Sequence, residues 1–321
     1  MPTRSNTPIL SRQRILGKYL ELLRLKHEDL AKCITTEQGK TILDAMGDVQ
    51  RGIEVVEQTL ATSAIMMGET STNLSAGIDG YSLRVPLGVC AGIAPFNFPV
   101  MIPLWMFPVG VACGNTYIMK PSERVAGASQ MLAHLAWEAG FPNGVVNMVH
   151  GGKETVDYIL EDPVVKSVSF VGSNRAGEYI YNKGSQNGKR VQSNLGAKNP
   201  CVIMPDANMD DVVNALVGAA FGASGQRCMA LSVAIFVGKS QQWIDEVAER
   251  ASKLKVGPGD DPETALGPLI SPAAKDRVIS LIESAKKEGA KVRLDGSKFV
   301  HSTHPQGNFV GPTLISGVTF L

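Results

Sequence analysis

The chain has 321 residues, of which 44% are hydrophobic, and carries 31 basic and 30 acidic residues. This length can bury a large core and is typical of two domains. The balanced charge, without a long basic run, argues against binding to nucleic acid or to an acidic membrane surface. The 5 cysteines are scattered and form no C-x-x-C pair, which indicates free thiols in a reducing compartment.

The N-terminal part of the chain has a helical pattern. Apolar residues recur at helical spacing over residues 9–67, with breaks expected at Gly39 and Gly47. Residues 1–20 are rich in arginine and lack acidic residues, as transit peptides do, but the amphipathic pattern continues beyond them. We therefore predict the first helix of the fold here, with no cleavable segment before it.

A long uncharged stretch follows a polar one. Residues 69–80 are rich in Ser, Thr and Gly, and residues 81–85 alternate as an exposed strand does. Residues 85–119 carry no charge, but they are interrupted by Pro86, Pro95, Pro99, Pro103 and Pro108. Because prolines at this density break a continuous helix, we predict a buried strand-helix-strand unit and no membrane span.

From residue 88 onward, short apolar runs alternate with runs of helical length. Strands are predicted at 88–94, 115–119, 144–149, 165–171, 190–195, 201–204 and 231–237. Helices are predicted at 99–113, 125–139, 153–161, 174–184, 209–224, 241–254 and 272–288. This alternation predicts an α/β fold with a doubly wound parallel sheet, whose ligands bind at the carboxyl ends of the strands.

Cys228 is the strongest candidate for a reactive side chain. It lies in the segment Phe221–Ala230, where glycine, alanine and serine leave little bulk around the sulfur. The neighbouring Arg227 favours the thiolate, which is the nucleophilic form. The alternative is that Cys228 is a small buried residue, as many free cysteines are.

Asn97 lies between a predicted strand end and a predicted helix start, in the segment Ala94–Pro99. Its side-chain amide could donate a hydrogen bond to an oxyanion, with the Cys228 backbone N–H as the second donor. The alternative is that Asn97 caps the following helix.

Five motifs together resemble the aldehyde dehydrogenase superfamily. They are Ala94–Pro99, Tyr117–Arg124, Phe170–Gly177, Asn194–Pro200 and Phe221–Ala230, in the order that the superfamily has them. The resemblance implies a Rossmann-like NAD-binding domain over residues 1–196, with an oligomerisation arm at 69–85, and an α/β catalytic domain over 197–321. It also implies that Cys228 attacks an aldehyde and that Asn97 holds the resulting oxyanion.

The cofactor site is predicted from position and resemblance. Gly172 and Ser173 join a strand to a helix N-terminus, where free N–H groups favour a pyrophosphate. Glu123 follows the second strand of the predicted sheet, where its carboxylate can accept from ribose hydroxyls and would repel a 2′-phosphate, which favours NAD over NADP. The resemblance implies further NAD contacts from Ala94, Phe96, Lys120 and Arg124. Without it, Lys120 and Glu123 would be read as a solvated surface pair, and the loop at Gly172 as a plain turn.

Asn194 departs from the common superfamily pattern, in which a glutamate at this position activates the hydrolytic water. Asparagine is not a general base at neutral pH, so a thioester on Cys228 should resist water and await a thiol such as coenzyme A. The pattern resembles the CoA-acylating methylmalonate-semialdehyde dehydrogenases. Their substrate carboxylate calls for a fixed arginine, for which Arg227 and Arg51 are the candidates. By sequence alone, Arg51 would instead be a solvated helix residue.

The resemblance has further implications. It implies a semialdehyde substrate, a homo-oligomer (dimer or tetramer), and a location in the mitochondrial matrix of a eukaryote or the cytoplasm of a bacterium. It implies that the chain ends before a nicotinamide-ribose contact and an intersubunit strand, so that the 321 residues alone would be inactive and prone to aggregate. The alternatives are a hydrolytic aldehyde dehydrogenase, or an inactive chain that associates with complete subunits. No metal site is expected, because His301 and His304 lack a third ligand.

Overall fold

The computed structural model describes residues 7–318. The chain forms two compact units that interleave along the sequence. The first comprises the chain up to Cys33 and Met46–Leu195, and the second comprises Ile34–Ala45 and the chain from Gly196 onward. Residues 1–6 of the arginine-rich N-terminal stretch lie outside the described part, as do residues 319–321. Among the described helices, none is long and apolar enough to cross a membrane.

Four helices begin the chain: α1 (Ile9–Leu25), α2 (His27–Gln38), α3 (Ile42–Thr59) and α4 (Thr62–Ile65). The predicted break at Gly39 is confirmed, because α2 ends just before it. The predicted break at Gly47 is wrong, since that residue lies inside α3. One face of α3 is buried through Val49, Ile53 and Val56. That burial outweighs the roughly 1 kcal/mol that glycine costs within a helix.

An exposed hairpin follows the helices. Strand β1 (Thr70–Ser75) pairs with β2 (Ile78–Tyr81) in an antiparallel manner, with Ser75 opposite Ile78. The strand predicted at 81–85 is therefore wrong except at its first residue. The alternation there lacks a partner strand, whereas the turn at 76–77 brings the two flanking segments together.

The first unit contains a five-stranded parallel sheet, which confirms the predicted α/β fold. Its strands are β3 (Val89–Ile93), β4 (Thr116–Lys120), β5 (Val146–Met148), β6 (Val165–Val171) and β7 (Arg190–Asn194), in the order β5-β4-β3-β6-β7. The connecting helices are α5 (Met101–Ala112), α6 (Gly127–Glu138), α7 (Lys153–Glu161) and α8 (Asn174–Gln186). Because β3 has β4 on one side and β6 on the other, its carboxyl end is the point where ligands bind in such sheets.

The strand-helix-strand unit within the uncharged stretch is mostly buried, as predicted, whereas Val85 and Leu87 before it are exposed. Strand β3 and helix α5 are almost wholly inaccessible, and Phe107 of α5 lies with its ring centroid 5.9 Å from that of Tyr19 in α1. The first N–H group of α5, that of Met101, donates to Oδ1 of the buried Asp48 at 2.7 Å. The Asp48 carboxylate interacts favourably with the positive end of the helix dipole, because α5 has no acidic residue in its own first turn.

The second unit is built around a parallel pair of strands, β8 (Asn199–Ile203) and β9 (Leu231–Phe236). Its helices are α9 (Met209–Phe221), α10 (Ile244–Ser252) and α11 (Pro272–Lys287), and β10 (Lys291–Leu294) pairs antiparallel with β11 (Leu314–Ser316). A cavity of about 440 Å³ lies between β8 and α9, lined mainly by apolar side chains. The predicted helix 209–224 ends at Phe221, because the residues that follow leave the helical conformation.

Candidate active site

Lys120 ends strand β4 at the carboxyl edge of the five-stranded sheet. Its ammonium Nζ donates to the carbonyl oxygens of Pro121 at 2.7 Å and Gly151 at 2.8 Å, which joins the loops after β4 and β5. Its own carbonyl accepts from the Ala94 N–H at 3.0 Å, just beyond β3. Burial lowers the pKa of the Lys120 ammonium, and the carboxylate of Glu123 opposes that shift.

Glu123 and Arg124 lie in the turn after β4, and both are exposed. Glu123 Oε2 is 3.6 Å from Lys120 Nζ, with 59% of the glutamate side chain exposed against 5% of the lysine. The pair is therefore not the solvated surface pair that the sequence alone favours. The lysine is fixed by two carbonyls, and the glutamate extends from it into solvent, where its carboxylate can accept hydrogen bonds from a ligand.

Gly172 and Ser173 connect β6 to α8 at the same edge of the sheet. The Gly172 N–H donates to the Asn194 carbonyl at 3.1 Å, and a side chain at Gly172 would place its Cβ 2.4 Å from the Phe170 ring. Only glycine therefore fits this close approach. Ser173 is the N-cap of α8 and accepts from the Ala176 N–H at 3.4 Å. The remaining N–H groups of this first turn favour an anion.

Asn97 and Phe96 lie half-buried in the bend between β3 and α5. Asn97 is not the N-cap of α5, since that position is Val100 and the side-chain acceptor at the helix start is Asp48.

Cys228 lies half-buried in a segment that we call the nucleophile loop, residues 222–230, between α9 and β9. Two non-glycine residues of this loop hold a left-handed backbone conformation: Ala223 has φ 49° and Ser224 has φ 55°. Each costs of order 1 kcal/mol for a residue with a Cβ. Such strain persists where surrounding contacts impose it, and it is concentrated at functional sites.

Hydrogen bonds between the loop and other segments of the second unit hold this loop conformation. Ser224 Oγ donates to the Gly267 carbonyl at 2.6 Å, and Gln226 Nε2 donates to the Pro268 carbonyl at 3.3 Å. Asn199 Nδ2, at the start of β8, donates to the Cys228 carbonyl at 2.8 Å. Since that carbonyl is fixed, the orientation of the Cys228 backbone is fixed as well.

Arg227 forms an ion pair with Asp44, which belongs to the same unit although it lies in the first turn of α3. The other carboxylate oxygen of Asp44 accepts from the Ala223 N–H at 2.9 Å. The guanidinium lies against Gly222, where a Cβ would be 2.4 Å from Arg227 Nη1. Glycine at 222 therefore makes room for the arginine.

The remaining predicted site residues lie elsewhere. Arg51 is exposed on α3 in the first unit, and the Asn194 side chain is exposed at the end of β7. His301 Nδ1 accepts from the His304 N–H at 3.2 Å, and no group of three or more metal-binding side chains occurs within residues 7–318.

Comparison with known proteins places these motifs in a family. Residues 1–320 match the model described as the aldehyde dehydrogenase family. The chain belongs to the aldehyde dehydrogenase family. The resemblance inferred from the five motifs is thereby confirmed.

Several members of the aldehyde dehydrogenase family are similar over almost the whole chain. A Rattus norvegicus protein named acylating methylmalonate-semialdehyde/malonate-semialdehyde dehydrogenase, mitochondrial, is 56% identical over 317 residues. An Arabidopsis thaliana protein named acylating methylmalonate-semialdehyde dehydrogenase, mitochondrial, is 55% identical over 318 residues. Each alignment covers 99% of this chain, but the chain spans only 59% and 52% of the two relatives.

Solved structures of family members share the fold. The crystal structure of a methylmalonate-semialdehyde dehydrogenase from Oceanimonas doudoroffii has a TM-score of 0.96 and 48% identity, covering 99% of this chain and 66% of that one. An NAD+ complex of an aldehyde dehydrogenase from Bacillus cereus has a TM-score of 0.94 and 30% identity, covering 99% and 65%.

Asp44 is the residue of this aldehyde dehydrogenase site that sequence reasoning missed. Acidic residues are common in the first turn of a helix, so its local pattern gives no signal. Gln226 and Asn199 lie within the quoted motifs, and their hydrogen bonds to the nucleophile loop show why an amide is needed at each. The separation of 183 residues between Asp44 and Arg227 hides their contact from any local pattern.

Proposed function

We propose that this chain supplies the NAD-binding and nucleophile-bearing parts of an enzyme that, at the length of the relatives, performs an NAD-dependent, CoA-acylating oxidation of malonate or methylmalonate semialdehyde, with acetyl-CoA or propionyl-CoA as the product. The first unit would bind NAD, and the second would carry the nucleophile. The observation that supports this most directly is the strained, side-chain-tethered loop that presents Cys228. The names of the similar proteins supply the reaction class.

The proposed chemistry begins at the Cys228 sulfur. Its thiolate attacks the aldehyde carbon and forms a thiohemiacetal, whose oxyanion would accept hydrogen bonds from the Asn97 side-chain amide and the Cys228 backbone N–H. Oxidation leaves a thioester on Cys228. Loss of the substrate carboxylate as CO2 and attack by the CoA thiol then release the acyl-CoA and restore the cysteine.

The carboxyl edge of the five-stranded sheet suits NAD by its geometry. The α8 N-terminus offers N–H groups to a pyrophosphate, and Gly172, which packs closely against the Phe170 ring, leads into it. The Glu123 carboxylate would accept from the adenosine ribose, while Lys120, Arg124, Ala94 and Phe96 would complete the pocket. When bound, NAD supplies the acceptor for the hydride that leaves the substrate carbon.

Glu123→Gln tests this cofactor site. The substitution removes the charge that repels a 2′-phosphate and keeps an amide oxygen for the ribose, so NAD should bind about three- to tenfold more weakly relative to NADP. Fluorescence titration of both dinucleotides measures the ratio without any need for turnover. Glu138→Gln, at another exposed carboxylate of the same unit, is the matched control. An unchanged NAD/NADP ratio would show that Glu123 does not face the ribose.

The substrate carboxylate would be bound by arginine. Arg227 adjoins the nucleophile, and its guanidinium has five donors, of which the contact with Asp44 engages only part. Arg51 is the second candidate, and its exposure leaves its guanidinium accessible to a ligand. A planar fork of donors suits a carboxylate better than a lysine ammonium does.

Asn194 would decide between CoA and water as the second substrate. Its backbone carbonyl holds Gly172, whereas its side chain is exposed and has no carboxylate to activate water. In a protein of the relatives' full length, we therefore expect strong acceleration of turnover by CoA. Asn194→Glu should raise the release of free acid without CoA by about tenfold or more, because a positioned general base contributes at least that much.

The CoA experiment compares free acid and acyl-CoA, separated by chromatography, with and without CoA. Asn194→Gln is the matched control, since it lengthens the side chain without adding a base. Rapid release of free acid by the parent protein without CoA would contradict the acylating function and favour a hydrolytic aldehyde dehydrogenase.

A second candidate function is association with a complete subunit of the same family. The apolar cavity of about 440 Å³ beside β8, together with the exposed Val202 and Met204, favours it. We also propose that the chain forms a homo-oligomer, a dimer or tetramer, and that it is mitochondrial if the source is a eukaryote. The names of the relatives give the mitochondrial location for those proteins.

A further inference from the structure

Asp44 contacts the nucleophile loop through both oxygens of its carboxylate. Oδ1 pairs with the Arg227 guanidinium, and Oδ2 accepts from the Ala223 N–H at 2.9 Å. Only 20% of the Asp44 side chain and 24% of the Arg227 side chain are exposed. The carboxylate thus holds the guanidinium of the residue that precedes Cys228 in the chain and, at the same time, one of the two non-glycine residues of the loop with left-handed backbone.

The segment that carries Asp44 is itself fixed within the second unit. The Asp44 N–H donates to Thr41 Oγ1 at 3.2 Å, and the Ile42 N–H donates to the Gly259 carbonyl at 3.1 Å. A Cβ at Gly259 would lie 2.3 Å from the Lys40 carbonyl, which shows how closely the two backbones approach. Asp44 therefore holds the loop from a fixed position.

The charge of Asp44 also matters for the electrostatics of the loop. Arg227 belongs to the same loop as Cys228, and a positive charge in that loop favours the approach of an anion over that of a neutral molecule. The Asp44 carboxylate cancels much of that charge while it orients the guanidinium. The Arg227 charge therefore favours an anionic reactant, and the Asp44 carboxylate weakens that preference.

We propose that Asp44 is a positioning residue for the nucleophile loop, and that its carboxylate both orients Arg227 and limits how strongly the loop attracts anionic reactants. The proposal rests on the proposed role of Cys228 as the nucleophile. It makes Asp44 a determinant of selectivity between anionic and neutral reactants, although nothing places it in contact with a substrate.

Alkylation of Cys228 tests the proposal without any aldehyde. Iodoacetate is anionic and iodoacetamide is neutral, and otherwise the two reagents react alike with a thiol. In Asp44→Asn, which keeps a side-chain oxygen for the Ala223 N–H, we expect the ratio of the iodoacetate rate to the iodoacetamide rate to rise about three- to tenfold. Added salt should reduce the rise. Peptide mass spectrometry assigns the label to Cys228 among the 5 free cysteines.

Three further variants separate charge from structure. Adding Arg227→Gln to Asp44→Asn removes both charges and should return the ratio to the parent value. Asp29→Asn removes an exposed carboxylate that pairs with Lys26 on the surface, and it should leave the ratio unchanged. Asp44→Ala removes the acceptor of the Ala223 N–H as well, so both alkylation rates should change together.

An unchanged ratio in a folded Asp44→Asn protein would overturn the proposal, as would an equal rise in the double variant. Aldehyde oxidation is measured separately on the same proteins. A raised ratio without any aldehyde oxidation would contradict the proposed function and leave the role of Asp44 standing. Aldehyde oxidation together with an unchanged ratio of alkylation rates would support the proposed function and overturn the role of Asp44.

Discussion

Cys228→Ala should lower NAD-dependent aldehyde oxidation by more than about a hundredfold, because the sulfur forms the covalent bond on which every later step depends. NAD affinity should not change, since Cys228 belongs to the second unit and the predicted cofactor contacts belong to the first. Rate assays measure the first effect, and fluorescence titration measures the second. Mass spectrometry after mixing with aldehyde and NAD should detect an acyl adduct in the parent protein and none in the variant.

Cys201→Ala is the matched control for this variant. Cys201 is another half-buried thiol of the second unit, on β8, and the proposed chemistry does not use it. Thermal unfolding of both variants checks that each is folded. Turnover above a hundredth of the parent rate in a folded Cys228→Ala protein would show that another group attacks the aldehyde.

Arg51→Leu should lower kcat/KM for a carboxylate-bearing semialdehyde by about ten- to a hundredfold, while a neutral aldehyde such as propanal is almost unaffected. Loss of a charge-assisted hydrogen bond costs roughly 1.5–3 kcal/mol, which corresponds to that range. Arg51 is exposed on α3, so its replacement should disturb little of the core. The measurement is the ratio of the two kcat/KM values in parent and variant.

Two controls accompany Arg51→Leu. Arg51→Lys keeps the charge but loses the planar fork, so it should recover part of the loss. Arg14→Leu removes an exposed arginine from α1 of the same unit and should affect neither substrate. Equal losses on both aldehydes in Arg51→Leu would assign that residue a structural role.

Much of the first unit could be predicted from the sequence, because its signals are local. Helix α7 and strand β6 have the predicted bounds, and the other strands of the five-stranded sheet differ from the prediction by at most two residues at either end. Alternating apolar runs of distinct length determine such elements. The break at Gly47 and the strand at 81–85 were wrong because packing and strand pairing overrode the local pattern.

The site was predictable to a smaller extent. Motifs identified the nucleophile loop and the carboxyl edge of the sheet, since each is continuous in the chain. Sequence alone could not show that the Lys120 ammonium is buried between two carbonyls, or that Ala223 and Ser224 adopt left-handed conformations. Neither residue type signals such a conformation, which contacts with distant segments impose. The roles of the predicted site residues remain predictions.

The interleaving of the two units has a consequence for biosynthesis. A ribosome adds about 5–20 residues per second, so Asp44 emerges roughly 10 to 40 seconds before Arg227, its partner 183 residues later. During that interval the strands of the first unit are completed, whereas Ile34–Ala45 has no second unit on which to pack. Contacts between such distant segments form slowly because a long loop must close first. Assembly of the nucleophile loop is therefore expected to be a late event in folding.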